Sequence, residues 1–232
     1  PGLTIAAIKL AMVHGDLTQM EDLLKTARSW FGGHPIVASL MGRDGHSLAV
    51  TDFMLRESGF ERMLVIAPTS TSETRAGRIS QRLLEIETYR MVALRALPVA
   101  KQLAPELTEA ELQLADITAR LESKSTSDQE LLDTLIALAA RVERITVEHA
   151  YRFAATHAYD RVVNQRISEL REKAIPGIQT IGEFMQRRLS PAIATVDATA
   201  QRMGYLSARV ARTSSLLRTR VDILAETQNQ QL

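Results

Sequence analysis

The ten residues "PTSTSETRAG", Pro68 to Gly77, separate two regimes of hydrophobic periodicity, and that change constrains the fold more than any other feature of the chain. Upstream of it, apolar residues come in short runs of the kind that suits a pleated, half-buried surface. Downstream, no strand-like run occurs, and apolar residues recur at steps of three and four, as one face of an α-helix requires. A sheet-containing first part must therefore be followed by helices alone.

In the first part, Leu3 to Val13 reads as a strand and Asp16 to Phe31 as a helix stopped by Gly32-Gly33. Ile36 to Met41, Ser47 to Leu55 and Phe60 to Ala67 are further strand-like runs. Asp44-Gly45 between the first two is a hairpin signal, because both central positions of such turns favour positive φ. Glu57-Ser58-Gly59 marks a weaker second turn.

The second part reads as four helices. Pro98 and Pro105 punctuate the region after the first, and Thr108 with Glu111, and Ser127 with Glu130, have the spacing of a capping box. The third helix runs from Asp128 to about Ala174, where Ile175-Pro176-Gly177 ends it, and Pro191 is expected to bend the last. The expected fold is α+β and predominantly α: a small mixed β-sheet with one helix, then a long-helix, coiled-coil-like bundle. Residues 1–70 form the C-terminal part of an α/β domain on this reading, and residues 71–232 the bundle.

Two charged residues stand out within "QRLLEIETYRM". Rotated about 100° per residue, Ile79, Leu83, Ile86, Ala93 and Leu97 share one face, and Glu87 and Arg90 fall inside the same apolar arc. Glu85 and Arg82 project the other way. Three residues apart, Glu87 and Arg90 can meet, and burying either charge alone is costly, so they are expected to form a structural charged pair.

The last helix carries a seam. Val196, Ala200, Met203, Ser207, Val210, Ser214, Leu217, Val221 and Leu224 alternate steps of four and three, which is the spacing of helix-on-helix packing. A neighbouring helix of the same chain is the favoured occupant, and a second subunit the other, so a homo-oligomer stays open. Outside the seam lie Arg187, Arg188, Arg202, Arg209, Arg212, Arg218 and Arg220, with few acids among them. Such an excess beside a membrane segment favours the cytoplasmic side.

The remaining chemistry is sparse. The chain has no cysteine, which excludes disulfides, thiolate nucleophiles and Cys-ligated zinc. His149 and His157 share a helical face but sit about 12 Å apart along the axis, too far to bind one ion. His14, His34 and His46 lack partners at ligand spacing, and no serine has a glycine-elbow context. "SWFGGHP" and "MGRDG" both fail as phosphate loops. Lys and Arg total 28 against 27 Asp and Glu, and aromatics make up 4%, so neither a global field nor stacking platforms favour nucleic acid. No cofactor, metal site or catalytic residue is expected.

"GRISQRLLEIETYRMVALRALPVA", with "TDFMLRESGFERMLVI" before it and "LSARVARTSSLLRTRVDILAETQNQQL" at the end, resembles the bacterial domain-of-unknown-function family 3422, described as uncharacterised membrane-anchored proteins. The resemblance covers nearly all of the chain. It implies more α/β sequence before Pro1 and hydrophobic membrane segments after Leu232, an expectation matched by a start without methionine and an end within a helical pattern. The layout of an α/β domain followed by long helices is also similar, in architecture only, to CorA-type magnesium channels. The expected function is a non-enzymatic interaction or scaffold domain at the bacterial inner membrane, facing the cytoplasm. A regulatory domain of a CorA-like cation transporter is the first alternative, and an enzyme with its site mainly in upstream sequence the second.

Overall fold

The computed structural model describes residues 4–123 and 127–230. The chain is 69% helical with one four-stranded mixed sheet, an α+β architecture dominated by helix. Its elements are β1 (Ile8–His14), α1 (Met20–Trp30), β2 (Val37–Met41), β3 (Ser47–Thr51), β4 (Glu61–Ala67), α2 (Glu73–Leu94), α3 (Ala96–Ser123), α4 (Asp128–Leu170), α5 (Ile181–Arg188) and α6 (Ser190–Gln230).

These elements group into two compact units that do not follow chain order. The first comprises residues 1–95 and 156–193, and the second residues 96–155 and 194–232. The "PTSTSETRAG" stretch marks the change from strand to helix, but α2, the last part of α4 and α5 all belong with the sheet.

In the sheet unit the strand order is β1-β4-β3-β2, with β1 parallel to β4 and the other neighbours antiparallel. Alternation along the strands sends side chains to opposite faces. Ala38, Leu48, Val50, Leu64 and Ile66 pack with Leu24, Ala27 and Phe31 of α1. Val37, Met41, Ala49, Met63 and Val65 join the cluster that includes Ile79, Leu83 and Ile86 of α2, Val163 and Leu170 of α4, and Ile181 and Met185 of α5. The sheet is thus covered on both faces.

The outer edge of β2 is closed as well, by the segment after α4. Ala38 N–H donates to Gln179 O (3.0 Å), Leu40 N–H to Lys173 O (3.1 Å), and Lys173 N–H returns to Leu40 O (2.8 Å). Glu172, in the same segment, accepts from Ser39 Oγ (2.8 Å) and from the first two amides of α5, Ile181 N–H (3.1 Å) and Gly182 N–H (2.8 Å). Thr180 and Glu183 complete a reciprocal capping box at that helix start. Gly182 fits there because a Cβ would lie 2.5 Å from Glu172 Oε1.

The second unit is a heptad-packed bundle. Leu103, Leu107, Ala110, Leu114 and Ile117 of α3, and Leu131, Leu135, Leu138, Val142 and Ile145 of α4, alternate steps of four and three and pack with Val196, Met203, Val210 and Leu217 of α6.

Three local expectations change. Thr108 is not a helix cap: it sits within α3, where its Oγ1 donates to Ala104 O (3.0 Å), because the apolar face from Ala100 to Ile117 carries the helix through Pro105. The long helix stops at Leu170, where the chain turns to pair with β2. Pro191 lies in the first turn of α6, a position where its missing N–H costs nothing, and the helix breaks at Leu189 instead of bending.

Because Glu172 joins the β2 edge to the start of α5, Glu172→Ala should destabilise the protein by about 1–3 kcal/mol in urea unfolding. An unchanged midpoint would mean that these amides are satisfied without it.

Candidate functional site

The sequence-derived pair is part of a larger buried group. Glu87 is 0% exposed, and Arg90 grips it with two bonds, Nε to Oε2 (2.7 Å) and Nη2 to Oε1 (2.5 Å). Arg90 Nη2 also lies 3.5 Å from Glu61 Oε1 at the start of β4, and its guanidinium sits 5.2 Å from the centroid of the Phe53 ring. Phe53 holds a left-handed backbone (φ 50°), which a side chain tolerates only when its surroundings fix it. Glu85 and Arg82, on the side of α2 away from this pair, are half-buried against α4, where Glu85 pairs with Arg166 and Arg82 with Glu169 (3.0 Å).

Two carboxylates facing one guanidinium leave one negative charge unbalanced in a site nearly closed to water. Burial pushes the Glu87 carboxyl up to about 8 against the pull of Arg90, and the Glu61 charge adds to the rise. The native state therefore keeps a proton that the unfolded chain releases above about 4.5. This contribution to stability is complete below that value and declines as pH rises through about 8. Glu87→Gln, which cannot ionise, should flatten the fall in unfolding free energy between these pH values. Glu87→Ala should cost on the order of 2–4 kcal/mol, since Arg90 loses its main partner in the interior. A pH profile shared by wild type and Glu87→Gln would contradict the assignment of the proton.

A second feature, absent from the sequence reading, is a cleft of about 390 Å³ at the end of the sheet where β4 finishes. Three segments line it: the β2–β3 turn with Arg43, Asp44 and His46, the first half of α2 with Arg75, Arg78 and Arg82, and the end of α4 with Glu169 and Arg171. Hydrogen bonds join these walls. Gly42 N–H donates to Leu170 O (2.9 Å), and Thr71 Oγ1, in the loop leading to α2, donates to His46 O (3.2 Å). Gly42 (φ 83°) and Gly45 (φ 64°) supply the positive φ that the turn needs. Glu169 is engaged by Gln165 and Arg82, which hold its carboxyl below the usual value, and by Arg166. A signal for this site did exist in the sequence: Arg75, Arg78 and Arg82 fall within about 60° of one another on a helix.

The helix seam is packed within the chain. Val196, Met203, Val210 and Leu217 are buried in the bundle core, with Ala200 packed against it. Ser207, Ser214 and Val221 are half-buried, and Leu206, which the spacing had not included, is buried beside them. Leu224 is corrected: it is 52% exposed. The bundle ends one turn earlier, where Arg220 bonds Leu121 O (2.8 Å) near the end of α3 and Asp128 (2.9 Å) at the start of α4, so Leu224 faces no helix among the described residues. Leu217→Ala should cost about 2–5 kcal/mol and Leu224→Ala under about 0.5 kcal/mol, by thermal or urea unfolding. Equal losses would place the seam's end incorrectly.

The other face of α6 is apolar too. Tyr205, Leu216 and Ile223 are 69%, 67% and 58% exposed, and they lie within about 20° of one another, turned about 130° from the packed line. No helix among the described residues is long and apolar enough to cross a membrane, and none of their His, Asp and Glu clusters is arranged to hold a metal ion.

A two-sided mixed sheet and a heptad-packed helical bundle, with an arginine-lined cleft on the sheet unit, define the class: an α+β protein of predominantly helical build. The chain belongs to the family described as protein of unknown function (DUF3422), whose model matches residues 1–232. No curated protein and no solved structure matches it.

Proposed function

We propose that this chain is a non-enzymatic interaction module, a scaffold domain of a membrane-anchored protein that works on the cytoplasmic side of the membrane. The observation that carries the reading is the second apolar line of α6. Its first line is filled by the bundle core, while Tyr205 and Leu216 expose apolar surface on another side of the helix, about 17 Å apart along its axis. Large apolar side chains aligned on a surface mark a place where another molecule packs. The exposed Arg209, Arg212 and Arg218 lie along the same stretch of helix and support a cytoplasmic position beside a membrane.

The partner to test first is a second copy of the chain. Light scattering over a range of protein concentrations should show self-association, and Tyr205→Glu with Leu216→Glu should abolish it while leaving the helical signal intact. A wild-type protein that stays monomeric throughout would contradict association through this face. The second reading, a soluble regulatory domain of a CorA-like cation transporter, rests on an α/β unit combined with a 41-residue helix at the end of the sequence. Ion flux through the full-length protein in lipid vesicles separates it from the first.

A further inference from the structure

The cleft beside the β2–β3 turn concentrates positive charge. Arg82 and Arg166 already occupy Glu169. Four further guanidinium groups remain on its walls, from Arg43, Arg75, Arg78 and Arg171, and none of them forms an ion pair among the described residues. Asp44 is the single remaining carboxylate. The chain as a whole carries a formal charge of only +1, so this concentration is local and does not follow from a basic composition. On the bundle unit, Arg141 pairs with Glu109 (2.7 Å) and Arg202 with Glu111 (2.8 Å).

Two features make the cleft more than a solvated basic face. Its three walls are bonded to one another through Gly42, Leu170, Thr71 and His46, so the arginines project from a framework set before any ligand arrives. Arg171 stands immediately after α4 with φ 49°, a left-handed position that glycine or asparagine usually takes. Like charges at Arg75 and Arg78 also repel along α2, an arrangement that an anion between them would relieve.

We propose that this cleft binds a ligand bearing at least two phosphate groups, held by Arg43, Arg75, Arg78 and Arg171. A guanidinium presents paired N–H donors that match phosphate oxygens two at a time, and several of them together favour a polyanion over a single carboxylate. The cleft is assembled by the β2–β3 turn, the first half of α2 and the residues around the end of α4. Its lining includes no Phe, Tyr or Trp, so recognition falls on the phosphates and no aromatic platform holds a base. About 390 Å³ accommodates a diphosphate with a small attached group. The proposal is independent of the apolar face on α6, since the two sites share no residue.

The ligand chemistry has two sources, a soluble diphosphate or a lipid headgroup with more than one phosphate, and two arms distinguish them. In the first, inorganic pyrophosphate is titrated into the whole chain by calorimetry at physiological salt. In the second, flotation measures binding to phosphatidylcholine vesicles with and without cardiolipin. Saturable binding in either arm is expected, weakened at least tenfold by Arg75→Gln with Arg78→Gln and, separately, by Arg43→Gln. Arg144→Gln, an exposed arginine of α4 outside both the cleft and the arginines of α6, should leave it unchanged. Absence of binding in both arms would overturn the proposal, as would binding that survives the cleft variants or falls equally with Arg144→Gln. Far-UV circular dichroism of each variant confirms that a loss is not unfolding.

Discussion

An edge strand presents backbone donors and acceptors that need partners, and the way β2 meets that need organises the whole sheet unit. The 170–179 segment supplies the missing partners through Lys173 and Gln179. To do so the chain must leave α4 at Leu170, turn through Arg171 and run beside the sheet, which brings a segment more than a hundred residues away in sequence against β2. The consequences follow in order along that segment. Leu170 fixes the β2–β3 turn through Gly42, Arg171 reaches the cleft, Glu172 caps α5, and α5 closes the second face of the sheet.

Arginine takes three different roles in this unit, and burial separates them. Arg90 is interior, hydrogen-bonded to Glu87 and ion-paired with Glu61, where a missing partner would cost far more than the pair contributes. Arg82 and Arg166 are part-exposed and share Glu169 and Glu85, a network that holds α2 beside α4 with modest energy because water screens it. Arg43, Arg75, Arg78 and Arg171 line the cleft without an ion pair among the described residues, and the proposed phosphate ligand would supply one. One residue type thus serves a core, a packing surface and a binding site within the same unit.

Much of this was legible in the sequence, for local reasons. The strands were set by short apolar runs, the β2–β3 turn by Asp44-Gly45, and the inward direction of Glu87 and Arg90 by helical rotation alone. The seam of α6 was visible as far as Leu217, because four-three spacing is a property of one helix; its end was not, because Leu224 depends on where α3 and α4 stop. Glu61 was missed as the third member of the buried group, since nothing in β4 by itself shows which residue of α2 it faces. The cleft was missed for a related reason. It is assembled from three distant segments, and an exposed arginine on one of them is indistinguishable in sequence from an ordinary solvated charge. The grouping of α2 and the end of α4 with the sheet is likewise a matter of long-range packing that periodicity does not encode.

Hydrogen exchange at the β2 edge tests most directly whether the 170–179 segment closes the sheet unit. Ala38 and Leu40 donate outward to Gln179 and Lys173, so in a sheet with a free edge their amides would exchange early, as open edge positions do. If the segment closes the edge, both amides should be protected to nearly the level of the central strands β3 and β4, and Glu172→Ala should lower protection at Ala38 and Leu40 before it affects Val50 or Val65. Rapid exchange at Ala38 and Leu40 in the wild-type protein, with the central strands protected, would contradict the account.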